Sequence, residues 1–252
     1  MPNSTASVLK YGGNTTCFEI STYNYQIFYD AGSGFCSADL FRDSKDVFIF
    51  FSHFHHDHIQ GLLFNSSLFY QGKKVILTSA LYNKKNIFTI LRGYFSEPYF
   101  PVDIFNTLKS LSVENFNTVV KKLKNEISVS YIKLNHPGGA VGYKFTENKK
   151  TIVILLDNEF NKEQETRLID FCNNANLVVW DATFTENELQ KNEGFGHSSI
   201  EQAENFTLRA NIEKMVLCHH APGRTDAEID SLSKSISSSK VFFGYEKMNI
   251  TL

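Results

Sequence analysis

The sequence predicts an α/β protein of one domain, a sheet-rich sandwich flanked by helices. Three observations predict it. Short β-rich runs fill the first third of the 252 residues, and further strands then alternate with helical patterns. A continuous apolar run, DVFIFF, reads as a strand covered on both faces. All eight histidines fall in four places (His53, His55, His56 and His58; His136; His197; His219 and His220), each beside a strand-like run.

Taken in order, TCFEIS, YQIFYD and DVFIFF are strands separated by Gly/Ser turns. HIQGLLFNSSLF, from His58, reads as the start of a helix, VILTS as a strand, and ALYNKKNIFTILRG as an amphipathic helix. YFSEPYFPVD, with two prolines, is a loop. From residue 128 the strands SVSYIKL, AVGYKF and TIVILLD follow. NKEQETRLIDFC is then a helix, NLVVWD a strand, SSIEQAENFTLRAN a serine-capped helix, KMVLC a strand and TDAEIDSLSKSI a helix.

A chain of this length can bury a full core, and its 42% hydrophobic and 21% charged residues are those of a globular protein. The net charge of −2 gives no general attraction to a nucleic-acid polymer. No apolar run approaches the roughly 18 residues of a membrane span. MPNSTASVLK lacks the basic and apolar regions of a signal peptide, so a cytoplasmic protein is expected. Cys17, Cys36, Cys172 and Cys218 form no CxxC pair, and disulfides are not expected.

The histidines carry the chemistry. In His53-x-His55, alternate residues of an extended segment point the same way, so two imidazoles can grip one ion. Asp57 and His58 follow at the turn into a helix, where they can face a second ion. His56 points away and is a spacer. The remaining candidates come from distant segments: His136 in NHPGG, Asp157 ending TIVILLD, and His219 ending KMVLC, preferred over His220 because it directly follows the strand. Imidazole nitrogen suits Zn²⁺, and a carboxylate can bridge two cations while neutralising charge.

His53-x-His55-x-Asp57-His58, followed by His136, Asp157 and His219, resembles the metallo-β-lactamase superfamily of dinuclear metal hydrolases. The match is closest to its phosphodiesterase branch: tRNA 3′-processing endonucleases, phosphoribosyl cyclic phosphodiesterases and cyclic-nucleotide phosphodiesterases, among them phage anti-Pycsar proteins. YGGNTTCFEI, DAGSG, SHFHHDHIQGLLF, EPYFPVD, NHPGGAVGYKF, WDATFTENEL with GFGHSSIEQA, and LCHHAPGRTDAEID carry the likeness over nearly the whole chain. It implies a four-layer αββα sandwich with the site at the strand ends between the sheets. His53, His55 and His136 would hold one metal, Asp57, His58 and His219 the other, and Asp157 would bridge them. The resemblance thus implies two divalent ions, Zn²⁺ first and Mn²⁺ as the alternative. Relatives begin with a strand and a Gly-rich turn before the YGGNT-like segment, and here that strand is expected to be shortened or missing.

The resemblance also implies a mechanism, attack on phosphorus by a water ionised between the metals. Asp57, His197 and Asp181 are the expected catalytic residues: His197 contacts the phosphate or protonates the leaving group, and Asp181 orients it. Asp30, in DAGSG, is expected to position the ligand loop from behind. Gly138 and Gly139 serve a tight turn whose amides could meet a phosphate, while Tyr99 and Phe100 offer stacking surfaces for a base. The expected reaction is hydrolysis of a small cyclic phosphodiester, foremost a 3′,5′-cyclic nucleotide, to a nucleoside monophosphate. The alternatives are tRNA 3′ processing and phosphoribosyl cyclic phosphate hydrolysis. The tRNA enzymes carry a long arm after the His136-type ligand, and this chain has only the 20 residues 137–156 there. No membrane and no long nucleic acid are expected as partners, and a homodimer is, as in relatives.

Overall fold

In the computed structural model, which describes residues 3–69 and 73–252, contacts group the chain into two units: Asn14–Lys122, and the residues up to Gly13 together with Leu123–Leu252. In the first, the run at 46–50 becomes β3 (Asp46–Phe50), the middle of a five-stranded sheet with β1 (Phe18–Ser21), β2 (Tyr25–Tyr29), β4 (Val75–Thr78) and β5 (Leu111–Val113). The order is β1-β2-β3-β4-β5, antiparallel between β1 and β2 and parallel thereafter. Val47, Phe48, Ile49 and Phe50 are all buried, as a strand covered on both faces requires. Val47 and Ile49 share a core with Ile87 and Leu91 of α2 (Lys84–Tyr94) and Ile104 of α3 (Ile104–Thr107).

The helix expected from His58 is shorter than its sequence suggests. It forms as α1 (His56–Ile59) and gives way to 3₁₀ turns at Leu62–Phe64 and Ser66–Phe69. The Gly61 amide donates to Ala31 O (2.9 Å) rather than to a carbonyl one turn back, and Asn65 donates its side-chain amide to the carbonyls of Phe35 and Ala38. Tertiary partners take the hydrogen bonds that would have extended the helix. The unit closes with α4 (Phe116–Leu123). Residues 6–8 form a 3₁₀ turn, and no strand precedes β1 among the described residues.

The second unit holds a six-stranded sheet: β6 (Ser128–Leu134), β7 (Ala140–Glu147), β8 (Lys150–Leu155), β9 (Leu177–Asp181), β10 (Lys214–Cys218) and β11 (Val241–Phe243). Its order is β11-β10-β9-β8-β7-β6, with an antiparallel meander β6-β7-β8 and parallel pairing from β8 to β11. The β7–β8 hairpin closes on Asn148 and Lys149, both left-handed (φ 48° and 67°), as a two-residue primed turn demands. The connecting helices are α5 (Lys162–Cys172), α6 (Glu186–Leu189), α7 (Ile200–Arg209) and α8 (Asp226–Ser233). Capping boxes at Thr185/Glu188, Ser199/Gln202 and Thr225/Glu228 start the last three.

The core of this unit centres on Trp180, whose ring lies 4.8 Å from Phe206 of α7 and 5.4 Å from Phe160, with its indole N–H donated to Ser199 O (3.2 Å). No disulfide joins any of the four cysteines, and burial pushes the Cys172 and Cys218 thiols up to about 12. Among the described residues no helix is long and apolar enough to cross a membrane.

Two residues of α7 separate packing from exposure. Phe206 is 2% exposed and Leu208 70%. Phe206→Ala is expected to cost about 3–5 kcal/mol in denaturant unfolding, and Leu208→Ala less than about 0.5. Equal losses would contradict the packing described.

Candidate metal centre

In the first unit the ligand-type side chains hang from the carboxyl ends of β2 and β3. Asp30 follows β2 in a left-handed conformation (φ 60°) and is fully buried. Its Oδ1 accepts from the Ser52 amide (2.7 Å), and its Oδ2 accepts from the Ser52 hydroxyl (2.7 Å) and from His58 Nδ1 (2.7 Å). Burial raises the Asp30 carboxyl above its ordinary range, while the charge and hydrogen bond of His58 and the two Ser52 donors pull it back. Because the Ser52 hydroxyl gives its hydrogen to Asp30, its oxygen accepts from His53 Nδ1 (2.9 Å). One buried carboxylate thus fixes two imidazoles.

The ring of His53 lies 4.4 Å from that of His55 and 4.1 Å from that of His58, and Asp57 Oδ2 lies 3.5 Å from His58 Nε2. His53, His55, Asp57 and His58 are therefore together, as their spacing predicts. His56 is exposed and faces the Tyr94 ring at 5.5 Å, outside the cluster.

Backbone packing sets the loop that carries them. The Ala31 amide donates to His58 O (2.8 Å). A Cβ on Gly61 would fall 2.0 Å from Gly32 O, and one on Gly32 would fall 2.3 Å from Asp57 O. DAGSG and the ligand loop approach so closely that only hydrogen fits between them.

In the second unit the corresponding groups end β6, β8, β9 and β10. Asp157 (φ 58°, 3% exposed) places Oδ2 3.6 Å from His136 Nε2 and Oδ1 3.2 Å from His219 Nε2. Each oxygen of this carboxylate thus faces a different imidazole. His136 Nδ1 donates to Gly196 O (2.9 Å). His219 Nδ1 lies 3.1 Å from Thr183 Oγ1, a hydroxyl that also reaches Asp181 Oδ1 and His219 O at 2.7 Å each. His197 Nδ1 lies 2.8 Å from Asp181 Oδ2, and its ring is 5.4 Å from His136 and 5.1 Å from His219. Asp181, fully buried, also accepts from the amides of Thr183 (3.1 Å) and Asn158 (3.2 Å).

His220 stands apart from this cluster. It packs on Tyr11 and Phe243, and burial, then His219 and Arg224, push it down to about 4. Gly138 and Gly139 both have positive φ (80° and 85°) in the turn after His136, and the Gly139 amide is taken by His136 O (2.8 Å). Tyr99 is 80% exposed, whereas Phe100 is partly buried against Phe64 and Phe95. Sequence reasoning missed Ser52, Thr183 and Gly196 as imidazole partners. Its one available signal was their adjacency to singled-out residues: SH, DAT and GH.

The donors fit divalent cations. His53, His58, His136 and His219 each have Nδ1 against a protein acceptor, which fixes the tautomer and turns Nε2 outward as the lone pair. The imidazoles and carboxylates together form the donor set that zinc and neighbouring transition metals take.

The family model described as Beta-lactamase superfamily domain matches residues 26–220. A comparison with curated proteins finds no match. Among solved structures, the chain is similar to the metallo-beta-lactamase fold protein YhfI from Bacillus subtilis (18% identity, TM-score 0.70, 95% of each chain covered). It is similar to the short form of human tRNase Z (17% identity, TM-score 0.66, 99% of this chain and 96% of that one). A diphosphatase from the PhnP family aligns at 13% identity and TM-score 0.68, over 94% of this chain and 84% of that one.

Gly61→Ala is expected to destabilise the protein by about 1–3 kcal/mol in thermal unfolding. Gly93→Ala, at a helix position with nothing within 4 Å of an added Cβ, should instead gain up to about 1 kcal/mol. A harmless Gly61→Ala would refute the tight backbone approach behind the ligand loop.

Proposed function

The chain belongs to the metallo-β-lactamase superfamily, and from that premise we propose that it is a metal-dependent phosphodiesterase hydrolysing a small cyclic phosphodiester, foremost a 3′,5′-cyclic nucleotide, to a nucleoside monophosphate. The observation that carries the reading is Asp157, with its two oxygens directed at His136 Nε2 and His219 Nε2, beside the Asp181–His197 pair. A carboxylate so placed suits a bridge between two cations. On this proposal His53, His55 and His136 would hold one ion, Asp57, His58 and His219 the other, and Asp157 would serve both. Zn²⁺ suits the donors best and Mn²⁺ next.

When bound, two such ions supply Lewis acidity to phosphoryl oxygens and lower the pKa of a water between them. The remaining work falls to the chain. Asp181 accepts the Nδ1 proton of His197, so His197 Nε2 is the atom that meets the phosphate; with the ring in its imidazolium form, Nε2–H passes its proton to the departing ribose oxygen and the ring is left neutral. Thr183 and the Asn158 amide hold Asp181 in that role, and Thr183 ties it to His219.

A small substrate is favoured over a tRNA precursor by the segment between His136 and Asp157. Residues 140–155 are spent on the β7–β8 hairpin, with no protruding arm, and the net charge is −2. Phosphoribosyl cyclic phosphates belong to the same small-substrate class. A homodimer and a cytoplasmic location complete the proposal.

Metal-loaded protein offered a panel of 3′,5′-cyclic nucleotides and a tRNA precursor should hydrolyse the former. Asp57→Ala and His136→Ala should abolish turnover, and His197→Ala should lower kcat by about 10²–10⁴, all with near-native melting. Cleavage of the precursor alone would overturn the assignment.

A further inference from the structure

The loop leading into His197 carries an exposed aromatic between two left-handed glycines. Gly194 and Gly196 both adopt φ +86°, and between them Phe195 is 62% exposed. The loop is fastened. Glu159 Oε2 accepts from the amides of both glycines, at 2.8 Å and 2.9 Å. Glu159 is itself tied by its amide to Asn135 O (2.8 Å) and by its carbonyl to the side chains of Asn135 (3.1 Å) and Gln164 (3.0 Å). Gly196 meets His136 through its carbonyl, and a Cβ there would fall 2.3 Å from His136 Nδ1.

A solitary exposed aromatic needs no explanation. Here, however, two left-handed glycines and one carboxylate fix the backbone on either side of it. Phe195 directly precedes Gly196, whose carbonyl accepts from His136, and stands two residues before His197. An aromatic with little backbone freedom to lose is what a stacking contact uses best. Phe100, by contrast, already packs on Phe64 and Phe95.

We propose that Phe195 is the surface on which the base of the nucleotide stacks, so that the enzyme takes its substrate as a base-bearing phosphodiester rather than as a bare sugar phosphate. The inference rests on the nucleotide reading of the site, and it adds the residue that sets substrate class. Stacking reads a π-face and not a hydrogen-bond pattern, so purines and pyrimidines should both be accepted, purines more tightly.

The test is binding first and turnover second. Calorimetry on metal-loaded protein would compare a nucleoside 5′-monophosphate with ribose 5-phosphate, in the wild type and in Phe195→Ala and Phe195→Trp proteins. The nucleotide should bind on the order of 5- to 100-fold more tightly than the sugar phosphate. Phe195→Ala should erase that ratio without weakening ribose 5-phosphate, and Phe195→Trp should keep it. In turnover, Phe195→Ala should raise KM for the cyclic nucleotide with kcat within about twofold. A wild-type ratio near one, a ratio that survives in Phe195→Ala, or equal weakening of both ligands would overturn the proposal. A Phe195-dependent ratio without cyclic-nucleotide turnover would uphold the stacking and sink the hydrolysis reading alone.

Discussion

The hydrogen bond at Nδ1 is the constraint on which the site depends. An imidazole free to flip or change tautomer presents a lone pair part of the time, and in the wrong direction for most of it. In this chain five histidines have that choice removed by a protein acceptor: Ser52 Oγ for His53, Asp30 for His58, Gly196 O for His136, Asp181 for His197 and Thr183 for His219. Two buried carboxylates anchor most of this. Asp30 serves His53 through Ser52 and His58 directly, and Asp181 serves His197 directly and His219 through Thr183. The same device thus appears once in each unit, at the carboxyl end of a strand with a parallel neighbour.

The backbone is shaped to the same end. Asp30, Asp157 and His219 each leave a strand with positive φ, at 60°, 58° and 61°. That region is costly for residues with a Cβ and is retained where surrounding structure enforces it. Turning the chain sharply at a strand terminus aims the side chain beyond the sheet edge. Close backbone packing at Gly32 and Gly61 holds the loop that carries His53 to His58, and the Glu159 clamp on Gly194 and Gly196 holds the loop that leads into His197.

How much of this was legible depended on sequence distance. His53, His55, Asp57 and His58 could be singled out directly, because six consecutive residues just beyond an apolar strand carry them all, and their side chains do lie together. Asp157 and His219 could be read because each ends an unambiguous apolar strand. The imidazole acceptors could not. Gly196 lies 60 residues from His136 and Thr183 lies 36 from His219, so only the tertiary fold pairs them. Locally, the pattern after His58 promised a longer helix, which Gly61 and Asn65 end by bonding to the DAGSG region. The edge strands β5 and β11, three residues each, are too short for any periodicity to register. The order of the strands in each sheet was likewise beyond a one-dimensional pattern, although the alternation of strands and helices did announce an α/β chain.

On the proposed reading, Asp157 would serve two cations held by imidazoles and carboxylates from separate segments. Elemental analysis of purified, active protein tests it most directly, run in parallel on wild type and Asp157→Ala. The account predicts two transition-metal ions per chain in the wild type, and loss of one or both in a variant with unchanged circular dichroism. Active wild-type protein free of transition metal, or a variant that keeps both ions, would contradict it.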